Sequence, residues 1–173
     1  IGFDCGPGNA LMDHWCQQHT GHPYDAQGHW AASGSVHPGL LADFLQEPFL
    51  QKLPPKSTGR DLFNVRWLDD KLEAHPNIPP ADVQATLTEF TARACASAVQ
   101  RFGRGGGELL VCGGGAFNQH LMGRLAQQLP SVAVTSTAAH GVPPDQVEAL
   151  AFAWLARAHV ERLPGNLPAV TGA

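Results

Sequence analysis

Glu108-Leu109-Leu110-Val111-Cys112-Gly113-Gly114-Gly115-Ala116-Phe117-Asn118 is the stretch whose reading decides the fold. Residues 108–112 are a short apolar run that reads as a buried strand, three glycines follow it, and 116–129 reads as a helix. Downstream, 131–135 reads as a second strand. The long helix expected over 143–163 turns Val147, Leu150, Ala151, Trp154, Leu155 and Ala158 inward. Upstream, Pro79-Pro80-Ala81-Asp82 opens the strongest helix, which runs to Phe102 and ends at Gly103. Its Val83, Leu87, Phe90, Ala94, Val99 and Phe102 recur at helical spacing. Helix, strand, glycine turn, helix, strand, helix is an α/β order with parallel pairing.

The front of the chain is more irregular. Residues 1–4 read as a strand ending in Asp4, and 9–19 as a helix with Leu11, Met12 and Trp15 apolar. Gly, His, Pro and Ser dominate Thr20 to Pro38, a loop with little regular structure. A short helix fits 38–46, with Leu40, Leu41, Phe44 and Leu45 inside. An exposed, ordered loop fits 47–63, and another short helix fits 66–73. Ile1 stands already inside an apolar run with no run-in, which is the expectation for a fragment.

At 173 residues, 43% hydrophobic and 15% charged, the sequence suits one soluble core or one lobe of a larger protein. A net charge of −4 without a Lys/Arg cluster argues against nucleic acid. No apolar run reaches the length of a membrane span. Cys5, Cys16, Cys95 and Cys112 form no CxxC, so reduced and mostly buried thiols in a cytoplasmic protein are expected. The nine histidines lack metal-site spacing, and no metal site is expected. The four tryptophans have no basic patch beside them and read as core or cleft wall.

Four motifs bear on chemistry, each with a bland reading beside the functional one. Asp4, before the turn Gly6-Pro7-Gly8-Asn9, is either a base or water ligand at a strand tip, or a cap for that turn. Asn9 is a good N-cap, and Asp13 either backs up the site or makes a surface salt bridge. Gly113, Gly114 and Gly115 leave bare backbone for a nucleotide, or simply allow tight strand–helix packing. Pro55-Lys56-Ser57-Thr58-Gly59 imitates the tail of a P-loop, but proline replaces the glycine before the lysine and no strand leads in. That motif is rejected as a P-loop. Asp145 and Glu148 suit the first turns of a helix through its dipole, although Glu148 also borders the apolar stripe and could be a partly buried functional acid.

Together these pieces resemble the anhydro-N-acetylmuramic acid kinases. The resemblance rests on FDCGPGNALMD (3–13), YDAQGHWAASG (24–34), PPKSTGRDLFN (54–64), PADVQATLTEFTA (80–92), LLVCGGGAFN (109–118), VPPDQVEALAFAWLA (142–156) and GNLPAVTGA (165–173), spread over the whole chain. One departure is Cys5, where threonine is usual.

The resemblance implies an actin-like, ribonuclease H-like two-lobe fold of the sugar-kinase type. Residues 1–173 would be its C-terminal lobe, ending in the family's natural Thr-Gly-Ala. The helix at 143–163 would pack toward the absent N-terminal half. It also implies a cytoplasmic homodimer that uses ATP and Mg²⁺ to phosphorylate the 6-oxygen of 1,6-anhydro-N-acetylmuramic acid. Water opens the anhydro bridge in the same reaction, giving N-acetylmuramic acid 6-phosphate for peptidoglycan recycling. Asp4 then matches the general base for that water, Glu148 an acid that holds water or sugar, and Gly113, Gly114 and Gly115 the adenosine-side turn. The alternative is a nucleotide- or sugar-binding lobe that is inert without its other half.

Overall fold

Twelve buried residues of one helix set the architecture. A computed structural model describes residues 1–103 and 105–167, and the Thr171-Gly172-Ala173 terminus lies outside them. Helix α6, Pro80–Phe102, starts with Pro80 in its first turn, where the missing N–H has no intrahelical partner to lose. Ten consecutive residues of it, Val83 to Ala92, are buried, together with Ala94 and Ala96. A helix buried on every side must be wrapped by others. Around it lie α1 (Ala10–Thr20), α2 (His29–Ser33), α3 (Pro38–Leu45) and α7 (Gln119–Gln128). The short α4 (Pro48–Gln51) and α5 (Val65–Leu72) close one end, where Phe44, Phe49, Phe63, Trp67 and Phe90 form an aromatic cluster. Trp67 stacks on Phe90 with centroids 5.8 Å apart.

Burial of that many α6 residues brings polar groups inside, and most of them, Gln84 excepted, find partners within the wrap. Thr86 Oγ donates to Asp82 O at 2.6 Å and accepts from His37 N at 2.9 Å. Glu89, 1% exposed, accepts from Arg93, Arg124 and Gln128 at 2.7, 2.6 and 3.0 Å, tying α6 to α7. Burial alone would raise this carboxyl's pKa, but the hydrogen bonds and charges of Arg124 and Arg93 outweigh it and hold the group below its ordinary value.

Strand β1 (Glu108–Val111) pairs in parallel with β2 (Ala133–Ser136), Glu108 opposite Ala133, and α7 is the crossover between them. The chain is α/β with a small parallel sheet, as its element order implies. The run at 108–112 is not a buried strand, however. Leu109 and Val111 are half-buried, whereas Leu110 is 42% exposed, because only one face of the two strands meets the helices. Residues 1–4 form no strand: among the described residues their one backbone tie is Asp4 N to Lys56 O at 3.2 Å, and no strand runs beside them. The 20–38 segment, expected to be mostly loop, contains a 3₁₀ turn at Ala26–Gly28 and α2.

The last helix, α8 (Val147–Val160), follows a 3₁₀ turn at Pro144–Gln146. Of the six residues expected to face inward, only Ala158 is buried. Trp154 is 56% exposed, and Leu150, Phe152 and Leu155 are exposed with it. The helix is apolar nearly all round, and among the described residues most of that apolar surface is left uncovered. No helix among the described residues is long and apolar enough to cross a membrane.

Candidate functional site

Asp4 is held from one side only. Its Oδ2 accepts the Ser57 hydroxyl at 2.7 Å and the Thr58 amide at 2.9 Å, while its own amide donates to Lys56 O. The loop at 54–60 therefore grips the carboxylate through one oxygen. Among the described residues, Oδ1 has no hydrogen-bond partner, and the side chain faces a cavity of about 540 Å³. Gly6, Asn9, Asp13, Thr58 and Arg60 share that cavity. Asp4 does not cap the turn that follows it. The turn is fixed instead from α6, where Thr91 Oγ donates to Gly8 O at 2.9 Å.

The Ser57–Thr58 grip is the part that sequence reasoning missed. Its only trace was a polar stretch beside prolines, 53 residues from Asp4. Lys56 plays no phosphate role in this geometry. Its Nζ donates to Phe49 O and Leu50 O at 3.1 and 3.2 Å and sits 4.7 Å from the Phe49 ring centroid, and burial lowers its pKa. It closes the C-terminal end of α4.

Asp13 makes no salt bridge among the described residues. It lines the Asp4 cavity and also a second one of about 320 Å³. Burial raises its pKa, and the Arg60 charge partly opposes the shift. The second cavity runs between Asn9, Tyr24, Gln27, Gln84, Gly114, Phe117 and Asn118. Gln84 is fully buried there, and neither the oxygen nor the nitrogen of its side-chain amide has a partner among the described residues.

The glycine turn stands at the mouth of this second cavity. Gly113 takes φ +72°, a conformation that side chains disfavour, and its amide donates to Pro144 O at 2.8 Å. The next residues turn in a 3₁₀ helix, Gly114–Phe117, before Asn118 caps α7 by accepting from Leu121 N at 2.9 Å. Asn9 occupies the N-cap position of α1 without using its side chain as a cap. The amide of Asn9 lies against the glycines instead: Cβ atoms at Gly114 and Gly115 would stand 3.2 and 3.3 Å from it. The Gly6–Asn9 turn and the glycine turn, more than a hundred residues apart in sequence, thus meet at one side chain.

Glu148 belongs to the first turn of α8, just past the Pro144 carbonyl that Gly113 holds. It is exposed rather than partly buried, since α8 has no cover, and it lines neither of the two cavities above. The structure joins Asp4, Asn9, Asp13 and the glycine turn in adjoining cavities; Glu148 is linked to them only through the backbone. Among the described residues no group of three His, Cys, Asp or Glu side chains could hold a metal ion. All four cysteines are free, but only Cys16 is fully buried; Cys5 and Cys95 are half-buried and Cys112 is exposed, contrary to the expectation of mostly buried thiols.

Against known proteins, the sequence profile of anhydro-N-acetylmuramic acid kinase matches residues 1–173. The chain belongs to that family. It is 61% identical over 173 residues to the anhydro-N-acetylmuramic acid kinase of Variovorax paradoxus, covering all of this chain and 46% of that protein. Against the same enzyme of Albidiferax ferrireducens the identity is 60%, covering all of this chain and 44% of the relative. The enzyme of Chromobacterium violaceum is 56% identical over 174 residues, which is 47% of its length. The chain therefore spans slightly under half the length of the curated kinases it matches.

Proposed function

We propose that this chain is the C-terminal lobe of an anhydro-N-acetylmuramic acid kinase, with Asp4 as the base for the water that opens the anhydro bridge. The observation that carries the reading is the one-sided grip on Asp4, a cavity-lining residue whose Oδ2 is fixed by two donors while Oδ1 has no hydrogen-bond partner among the described residues. A general base needs this combination of a fixed carboxylate and one accessible oxygen. Oδ1 takes the proton of a water that attacks the anomeric carbon while the bridging carbon–oxygen bond breaks. Ser57 and Thr58 orient the carboxylate during that transfer. Glu148 is assigned to hold the water or the sugar, which requires closure of the site by the rest of the protein.

The glycine turn and its cavity fit the adenosine side of ATP. Gly114 offers bare backbone, Tyr24 and Phe117 offer exposed rings, and Gln84 offers a buried donor and acceptor without partners. Bound ATP would supply the phosphoryl group for the sugar's 6-oxygen, with Mg²⁺ balancing charge on its phosphates. The described residues provide no side-chain cluster for the ion. The bare faces of α8 and of the sheet at Leu110 fit an actin-like two-lobe arrangement in which the remaining half of the relatives' length covers them. Parallel sheets are ordinarily covered on both faces. A cytoplasmic setting and a homodimer belong to the same reading, and sedimentation of the full-length protein tests the dimer.

The decisive experiment is Asp4→Asn in the full-length protein. Product formation should fall by roughly 10²–10⁴-fold, with ATP affinity within about twofold in equilibrium titration. Near-normal turnover would remove Asp4 from the role of base. The 173-residue chain alone should bind nucleotide weakly and turn over no sugar.

A further inference from the structure

We propose that Cys5 and Cys95 are a modification site for small hydroperoxides, closing into a disulfide beside Asp4. Their sulfurs stand 3.7 Å apart although the residues are 90 apart in sequence, one following Asp4 and the other on α6. The two segments are pressed together at this point. A Cβ at Gly6 would stand 2.9 Å from Ala94 Cβ, so only glycine allows the loop to lie this close to the helix. Both cysteines line the Asp4 cavity, and Cys5 also lines a smaller one of about 130 Å³ on its other side. A small peroxide therefore has open space from which to reach the pair.

The surroundings separate the roles of the two thiols. The Cys95 hydrogen bond lowers the Cys5 pKa to about 7, burial works against it, Lys56 adds to the lowering and Asp4 opposes it. Arg93 and Arg101 face the smaller cavity as well. A sizeable thiolate fraction at neutral pH makes Cys5 the attacking sulfur. Cys95 is held well above its ordinary value by the hydrogen bond to Cys5, by burial and by the Cys5 charge. Once Cys5 is oxidised, its charge and the hydrogen bond to its thiolate are gone, so Cys95 becomes competent as the resolving thiol. Cys16 and Cys112 have no such neighbour; Cys16 is paired with the Thr20 hydroxyl within α1.

The chemistry balances with a hydroperoxide as oxidant. Cys5 thiolate attacks the terminal peroxide oxygen, the O–O bond breaks, and an alcohol (or water) leaves with a proton. Cys95 sulfur then attacks the sulfenic sulfur of Cys5, the S–O bond breaks, and hydroxide leaves as water with the Cys95 proton. Two electrons pass from the thiol pair to the peroxide. Bonding brings the sulfurs to about 2.05 Å. Because Gly6 already abuts α6, the approach must move Cys5 and its rotamer, and it pulls on Asp4, whose Oδ2 is anchored to Ser57 and Thr58.

The test uses the full-length protein, treated with hydrogen peroxide, then alkylated with N-ethylmaleimide and mapped by peptide mass. We expect a Cys5–Cys95 cross-linked peptide that dithiothreitol reverses, with Cys5 protected from alkylation at least about tenfold faster than Cys112. In Cys95→Ser, dimedone should trap a sulfenic acid on Cys5 and no cross-link should form. In Cys5→Ser, Cys95 should stay fully alkylatable. The proposal is overturned if Cys5 stays alkylatable at peroxide doses that oxidise Cys112, or if the reversible cross-link joins Cys5 to a cysteine other than Cys95. None of these readouts depends on kinase turnover.

Discussion

Helices α6 and α8 are both rich in apolar residues and have opposite fates. Val83, Leu87 and Phe90 of α6 are sealed by four surrounding helices, and even Gln84, Thr86, Thr88 and Glu89 go inside with them. On α8, which is apolar nearly all round, Leu150, Phe152, Trp154 and Leu155 remain exposed. Periodicity states which side of a helix avoids water, but it does not state which chain supplies the cover. One helix is covered by others, and the other keeps most of its apolar side chains exposed among the described residues. A contiguous exposed apolar face of this kind marks an interaction surface.

The contrast is broken most directly at Phe90, fully buried among Phe44, Phe63 and Trp67. Phe90→Ala should lower the unfolding free energy by about 3–5 kcal/mol through lost contacts and the cavity left behind. Urea denaturation of the full-length protein measures it. A loss below about 1 kcal/mol would mean that the wrap around α6 is loose, and the distinction between the two helices would go with it.

A smaller effect is expected at Glu89, where the buried carboxylate joins α6 to α7. Glu89→Gln keeps the shape but turns one acceptor into a donor facing Arg93, Arg124 and Gln128, costing on the order of 1–3 kcal/mol. The acid limb of the stability curve should change as well. The folded pKa of Glu89 lies below the ordinary value of 4.5, so its stabilising contribution is complete above that pH and is lost as pH falls through the folded value. Chemical denaturation at a series of pH values should show wild type losing this increment below about pH 4.5, with a flatter limb in Glu89→Gln. Parallel limbs would detach Glu89 from the acid sensitivity.

How much of this could be read from the sequence follows the same division. Local chemistry was legible: Pro79-Pro80 opening α6, Gly103 after it, and the α/β order around Gly113-Gly114-Gly115, whereas the helix expected from Ala116 starts only at Gln119. Contacts made across long stretches of chain were not. Asn9 reads as an N-cap because its local setting is that of a cap, yet its amide lies against Gly114 and Gly115. Asp4 could be placed at the site, but not the Ser57–Thr58 grip that orients it, since a loop's polar residues carry no address. Residues 1–4 have a strand's composition and no strand beside them, and a strand exists only as a pair. Glu148 was expected partly buried because the pattern around it assumes a covered helix.

The smallest expected effect sharpens the contrast further because it should depend on which protein is measured. Trp154→Ser in the isolated 173-residue chain should change stability by no more than about 0.5 kcal/mol, as for exposed positions generally. In the full-length protein the same substitution should cost about 3–5 kcal/mol if the remaining half of the relatives' length seats on α8, because a buried tryptophan is then truncated. Tryptophan emission gives an independent readout: the Trp154 contribution, taken as wild type minus Trp154→Phe, should be red-shifted in the isolated chain and blue-shifted in the full-length protein. Equal small costs and equal red shifts in both would leave α8 bare in the full-length protein. Its apolar side would then have to face a separate partner, and the two-lobe reading would lose the surface on which its lobes meet.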